Sequence, residues 1–550
     1  MRPKARKSLR CTLWAVCAMS LWAAPARASN VYEIPDNGVE QVGRGGAWVA
    51  RASDPLATYF NPAGLAGQGT QLTLQSNFVM HQTCFSRVRA ANDTSQDALA
   101  DPATSAFPKV CSDAGPDVNP QGAGTLQLSD RVTLGFAVLG PAGRTSLTFP
   151  EFVEGSAGPE AAPQRYLVSR LRGLIVYPQV GIGVEPIAGL RVGAAFQWGI
   201  ARLRLASTTV ALNADNLSTV NDVRGNLQVK DDFVPGFTLG AIYAPRPWLD
   251  IAGWYRFSDA VRARGDVGTA ANYYSRDNAR GDDSRVAYGD TIFDDCGTGT
   301  ASDRENKPCG AGGNATVKLP IPMEAKLGFR VHRPRPKPLA PELAQGTTLR
   351  GVRDPLRDDV FDAELDLTWA NNSATQAVEV RFPGDDSGNG KLPVAGVPGV
   401  IPPNVDNLRG YKDTFGVRLG GDYNVLPDRL AVRAGGFFES RAEDPRYQNV
   451  DFAANYRLGF GLGASYRFRF GERVRLTLMA AYSHVFVGTS ENMGPDGLRA
   501  VTGSPCNPTA NVAGDTCPNG QPKYRTNWPV NLGTITNDVH LLSGGAQVAF

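Results

Sequence analysis

Histidine is the side chain best suited to moving protons or holding metal near neutral pH. This chain has four, His81, His332, His484 and His540, and they are scattered along its length. No His-Glu-x-x-His pair holds zinc and no Gly-x-Ser-x-Gly seats a nucleophile. The acid pairs Asp282-Asp283, Asp294-Asp295 and Asp385-Asp386 offer oxygen ligands but lack the spacing of a calcium loop, so they are read as solvated loop residues. No catalytic residue, metal ligand or cofactor site is assigned.

Cysteine is the other reactive side chain. Of eight, two fall in the first 28 residues. The other six lie in three loop-like, Gly/Pro/Asp-rich segments and are expected to pair locally, Cys84 with Cys111, Cys296 with Cys309, and Cys506 with Cys517. No Cys-x-x-Cys spacing and no nearby His supports zinc. The usage implies an oxidising compartment, and each bridge would stabilise its loop by ~3 kcal/mol.

The first 28 residues read as an export signal. Five basic residues lie in the first ten, Leu9 to Ala24 is apolar, and Ala26-Arg27-Ala28 fits a cleavage site. Removing the six Lys/Arg of this stretch turns the formal charge from +3 to −3, which argues against nucleic acid as a partner. No later window is a long apolar run, which excludes a helical membrane protein but not a membrane β-barrel.

From residue 70 onward the recurring signal is period-two alternation. Leu458, Phe460, Leu462, Ala464, Tyr466, Phe468 and Phe470 share one face. Arg457, Gly459, Gly461, Gly463, Ser465, Arg467 and Arg469 share the other. Ordinary strands run ~5–6 residues; Tyr456 to Phe470 runs far longer and suits a tilted strand crossing a bilayer. The polar faces mix charge with glycine, which implies a wet or plugged lumen rather than a dry core.

Fifteen runs qualify as strands: 70–80, 122–129, 131–140, 166–184, 189–206, 234–244, 248–259, 316–332, 359–370, 376–382, 412–425, 429–440, 456–470, 473–487 and 538–550. Short turns alternate with long segments at 81–120, 141–164, 208–233, 262–314, 441–455 and 487–536. Even parity requires one merger. The apolar phase flips between Leu365, Leu367, Trp369 and Val378, Val380, Phe382, as a one-residue bulge would cause. Joining 359–370 to 376–382 gives 14 strands with the long loops outside. The expected fold is all-β, a 14-stranded antiparallel transmembrane barrel over 69–550, with an N-terminal plug at 29–68. Phe550 closes the alternating run 538–550, a pattern that suits recognition by outer-membrane assembly machinery.

The plug candidate is Gly43–Ala66. It is too rich in Gly, Ala and Pro for a regular element, yet Tyr59, Phe60 and Leu65 want burial. Gly43, Gly45 and Gly46 permit close approach to a wall. Asn61 precedes Pro62, which turns its backbone away from helix. Pro320 and Pro322 remove two ladder donors from one strand. The connection 333–358 carries Pro334, Pro336, Pro338, Pro341 and Pro355 and is long for a periplasmic turn.

These residues carry a family resemblance. Gly43-Arg-Gly-Gly-Ala47 with Asp54-Pro-Leu-Ala-Thr-Tyr-Phe-Asn-Pro-Ala-Gly-Leu65 is similar to the hatch of the FadL family of outer-membrane transporters, including its TodX-type hydrocarbon channels. Ser129 to Gly135, Lys318 to Pro322, Lys412 to Gly416 and Leu419 to Tyr423 extend the match over the mature chain. The resemblance implies a 14-stranded barrel in a Gram-negative outer membrane. It implies passive uptake of long-chain fatty acids or aromatic hydrocarbons, gated by a hatch built from Gly43, Gly45, Gly46, Asp54, Asn61, Pro62, Ala63 and Gly64. It further implies lateral release into the membrane at a kink of the third strand, with Gly135 and Gly140 as candidates. The expected partners are a hydrophobic small molecule, the lipid bilayer and lipopolysaccharide, and the expected state is a monomer. The alternative is a general diffusion porin for polar solutes, which the charged lumen faces favour.

Overall fold

The structure, a computed structural model, describes residues 31–34, 36–90, 100–101, 104–155, 158–210, 219, 222–271, 274, 314–336, 354–382, 392–393, 400–401, 404–471, 474–498 and 529–550. The expected export signal lies outside the described residues, as do Cys296, Cys309, Cys506, Cys517, the three acid pairs and most of the proline-rich connection.

Fourteen antiparallel strands close into one barrel. They are β1 (Gln71–Arg87), β2 (Asp117–Gln127), β3 (Val132–Leu139, then Ser146–Thr148), β4 (Arg170–Ile187), β5 (Leu190–Val210), β6 (Asp222–Arg246) and β7 (Leu249–Ser258, then Val261–Ala271). They continue as β8 (Asn314–Leu319, then Glu324–Pro334), β9 (Asp359–Ala370, then Ala377–Arg381), β10 (Asn404–Leu408, then Thr414–Leu426), β11 (Leu430–Glu439), β12 (Arg457–Phe470), β13 (Val474–Val487) and β14 (Gly533–Ala549). Closure is the pairing of β1 with β14, from Gln71↔Ala549 to Arg87↔Gly533. No helix among the described residues is long and apolar enough to cross a membrane.

The expected alternation holds in the lower half of the wall. On β12, Leu458, Phe460 and Leu462 are exposed while Arg457 is buried. On β9, Leu365 and Leu367 are exposed while Asp362, Glu364 and Asp366 are buried. The outer face is therefore an apolar belt and the inner face a charged one.

The merger at 371–375 gives one strand, but not through a one-residue bulge. Asn371–Gln376 interrupts β9 with a 3-10 turn, Asn372–Ala374. β7 breaks at Asp259 and Ala260, β8 at Pro320–Met323, and β10 between Leu408 and Thr414. Lower segments pair with lower and upper with upper across all four strands. The two prolines of β8 thus sit in a break shared with its neighbours.

Above this level the faces invert. Ala201, Leu203, Val261, Ala263, Val317, Val378 and Val380 are buried and pack together, whereas Arg202, Arg204, Arg262, Arg264 and Lys318 are exposed. Below, the outside is apolar and takes the apolar residues; above, the outside is water, so the apolar face turns inward. This corrects the expectation of a polar lumen throughout. It also corrects the boundaries: β1 and β6 run longer than expected, and Val261–Ala271 is strand rather than loop. Within the former 81–120 loop, Cys84 is bridged to Cys111 across paired backbone.

Candidate functional site

Two short helices, α1 (Val39–Gly43) and α2 (Ala57–Phe60), and a 3-10 turn, Pro62–Leu65, belong to a segment that packs on the inward faces of the wall. Its small and bent sequence fits because the wall is shaped to receive it. Gly45 and Gly46 adopt positive φ, +61° and +78°, and Gly45 abuts the backbone of Gly436. Gly43 lies against Arg433 and Gly463, and Gly64 against Ala52. A Cβ on Gly193 would stand 2.2 Å from the Pro62 carbonyl carbon, and one on Gly183 2.5 Å from the Ala66 nitrogen. The wall glycines therefore make a smooth bed for Pro62, Ala63 and Ala66.

Charge fixes the segment on the opposite side. Arg44 lies 2.5 Å from Asp362 Oδ1, 2.7 Å from Asp422 and 3.3 Å from Glu364. Arg51 pairs with Asp362 and, at 3.0 Å, with Asp422. Asp366 accepts from the backbone N–H groups of Trp48 at 2.9 Å and Val49 at 3.2 Å. Glu364 accepts from Ala50 at 2.6 Å and Arg51 at 3.2 Å. Buried charges are costly unless paired and hydrogen-bonded; Asp362, Asp422 and Glu364 are paired with arginine, and Asp366 is held by the backbone N–H groups of the segment.

Asn61 works within the segment. Its Nδ2 donates to the Val49 carbonyl at 2.8 Å, and its Oδ1 accepts from the Ala63 N–H at 3.1 Å, capping the 3-10 turn. Asp54 is buried and accepts from Gln41 Nε2 at 2.9 Å. Burial pushes its carboxyl up to about 7.

Of the two glycines weighed as kinks, Gly135 sits in an unbroken ladder, paired to Thr125 on one side and Gly181 on the other. Its bare Cα faces Thr58 and Leu65. Gly140 is where the strand fails. The pairing of β3 with β4 stops at Leu139↔Tyr177 and resumes at Ser146↔Arg172. The freed carbonyls turn elsewhere: Gly140 accepts from Asn37 Nδ2 at 2.8 Å, Pro141 from Asn119 at 3.1 Å, and Ala142 from the Ile34 N–H at 3.2 Å. The N-terminal segment is thus tied to the break itself.

A cavity of about 490 Å³ lies beside this break. Its inner lining is the inverted apolar face, including Leu203, Leu205, Leu227, Val317, Leu319, Val378 and Val380. Val118, Val138 and Leu174 also line it, and these are outward residues 53%, 51% and 58% exposed. The cavity therefore meets the outer apolar belt. Its polar members include Tyr32, Glu33, Arg144 and the ion pair of Arg409 with Asp451. A second cavity, about 480 Å³, is polar and is lined by Glu40, Arg51, Asp54, Asp354, Arg467 and Arg475. Tyr32 and Glu33 touch the first cavity and Glu40, Arg51, Ser53 and Asp54 the second, so the segment runs between them.

Sequence reasoning reached the segment and Gly140 but not the cavity lining. The signal was present as the phase flip after Trp369. In β5 it recurs, from outward Phe196 and Trp198 to inward Ala201 and Leu203.

No family model and no curated protein matches the chain. Solved structures do. A FadL homologue of Pseudomonas aeruginosa superposes with a TM-score of 0.60 at 16% identity, over 94% of this chain and 99% of the other. The toluene transporter TbuX of Ralstonia pickettii gives 0.52 at 14%, over 94% and 99%. The toluene transporter TodX of Pseudomonas putida gives 0.52 at 13%, over 95% and 99%. At such identities the likeness is one of architecture: this chain has the fold of the FadL-type barrels.

Proposed function

We propose that the protein is an outer-membrane channel for passive uptake of hydrophobic small molecules, gated by its N-terminal segment and releasing its cargo sideways into the bilayer. The observation that carries this reading is the continuity of the apolar cavity with the outer belt through the break in β3. A porin for polar solutes needs a polar path, whereas the lining of this cavity is mostly apolar side chains. The segment Val31–Gln68 separates it from the polar cavity beyond, as a hatch must. In this reading Gly43, Gly45, Gly46, Asp54, Asn61, Pro62, Ala63 and Gly64 form the hatch, and Gly140 rather than mid-strand Gly135 marks the exit.

The substrate is a hydrocarbon or a hydrophobic chain with a small anionic head. Arg144 favours the second form. Its guanidinium lines the cavity and donates to neutral acceptors, Thr83 Oγ1 and the carbonyls of Val450 and Asp451, each at 3.0 Å. In this reading the chain sits in a lipid bilayer, which the apolar belt supports, as a monomer with lipopolysaccharide outside and with exposed Phe550 available to assembly machinery during biogenesis. Mass spectrometry of lipophilic compounds retained by purified protein tests the reading. A fatty acid or aromatic hydrocarbon lost on Val317→Arg supports it, and an empty cavity with steady conductance to polar solutes overturns it.

A further inference from the structure

We propose that His484, His540 and Asp538 form a binding site for a divalent first-row transition-metal ion on the outer face of the barrel. The two histidines are 56 positions apart, and the alternation of their strands gives no metal motif. The register of β13 with β14 sets His484 directly opposite His540. Their Nδ1 atoms lie 3.1 Å apart, and His540 Nε2 lies 3.3 Å from Asp538 Oδ1. One ligand atom from each of the three residues falls within 4.8 Å of the others.

Bonds of ~2.0–2.1 Å from zinc to nitrogen or oxygen in a tetrahedral site put ligand atoms ~3.3 Å apart, which is the separation of His540 Nε2 from Asp538 Oδ1. His484 stands within the 4.8 Å that holds all three ligand atoms, and rotation of its ring closes the remaining gap. Tyr482 Oη, 2.8 Å from His540 Nδ1, holds that ring by a hydrogen bond, the kind of support that orients ligating imidazoles. Two imidazoles and one carboxylate leave a coordination position for water, and the charge of the ion exceeds that of its ligands.

The surroundings make these residues anomalous. Phe460, Phe486 and Leu542 nearby are exposed members of the apolar belt. On β14 that belt ends at Leu542, and His540 and Asp538 follow on the same face toward the long connections. Met80 of β1 pairs with His540 from the other side, which places a soft thioether residue in the same row. Polar side chains at an apolar edge are costly without partners; an ion would satisfy all three at once.

The test uses full-length protein in detergent micelles, carrying a tag without histidine and stripped with chelator. Titration with Zn²⁺ by calorimetry should give one ion per chain, and Co²⁺ should give visible bands that Zn²⁺ displaces. His484→Ala and His540→Ala should each weaken Zn²⁺ binding by at least ~10-fold, since even loss of an outer partner does as much. His81→Ala, elsewhere on the wall, should bind as the parent does. Retained strand circular dichroism shows that the variants are folded. Absence of stoichiometric Zn²⁺ binding, or parental affinity in the His484→Ala/His540→Ala double variant, overturns the proposal.

Discussion

Arg44 and Asp362 are 318 positions apart in sequence, yet their charged groups meet at 2.5 Å with both side chains buried. This contact joins the N-terminal segment to β9, and Asp362 also serves Arg51 and Arg330. Removing one member of a buried pair costs ~3–5 kcal/mol, because the partner charge is left uncompensated. Asp362→Ala should therefore loosen the segment while leaving the barrel closed. Single-channel recording should show frequent openings in the variant and few in the parent; equal traces would mean that the pair does not hold the segment.

Asn61→Ala tests the segment from inside. It removes the bond to Val49 and the cap on Ala63. Losing a buried hydrogen bond leaves a penalty of ~1–3 kcal/mol. The expected leak is smaller than that of Asp362→Ala, and protease nicking of the segment should rise in the same order.

Gly193→Val pushes from the wall side. The added Cβ would meet Pro62 at 2.2 Å, against backbone rather than a flexible tip. Overpacking of this kind costs ~1–3 kcal/mol. The variant should assemble and migrate as a folded barrel but conduct ions above the parental level, whereas Gly253→Val, where nothing lies within 4 Å, should not.

Asp54 makes docking pH-dependent. Burial raises its carboxyl from 3.8 to about 7, so the docked form binds its proton more tightly than the released form. That stabilisation is full below about pH 4 and is lost as pH rises through about 7. Channel opening should increase from pH 5 to pH 8. In Asp54→Asn the slope should vanish, and an unchanged slope would assign the pH dependence to another group.

The strand number was legible because alternation, turn spacing and parity pointed the same way. Gly43–Ala66 stood out because Tyr59, Phe60 and Leu65 sit among residues that cannot form a core alone. The upper wall was not legible in the same way. Charged residues such as Arg262 and Arg264 made Val261–Ala271 look like loop, since the rule used there was apolar outward. The flip between Trp369 and Val378 was visible, but a bulge and a change of outer medium produce the same sequence pattern. The meeting of His484 with His540 depends on the register of two strands, which no local spacing records.

Passage of hydrophobic cargo through the apolar cavity is measured by uptake of a radiolabelled fatty acid or alkylbenzene into cells expressing the parent or Val317→Arg, at equal amounts of folded barrel. Val317 is buried in the cavity wall, distant in sequence from the segment and the break. Uptake that depends on the parent and falls to background in Val317→Arg, with ion conductance unchanged, is the predicted result; equal uptake by both would contradict the account.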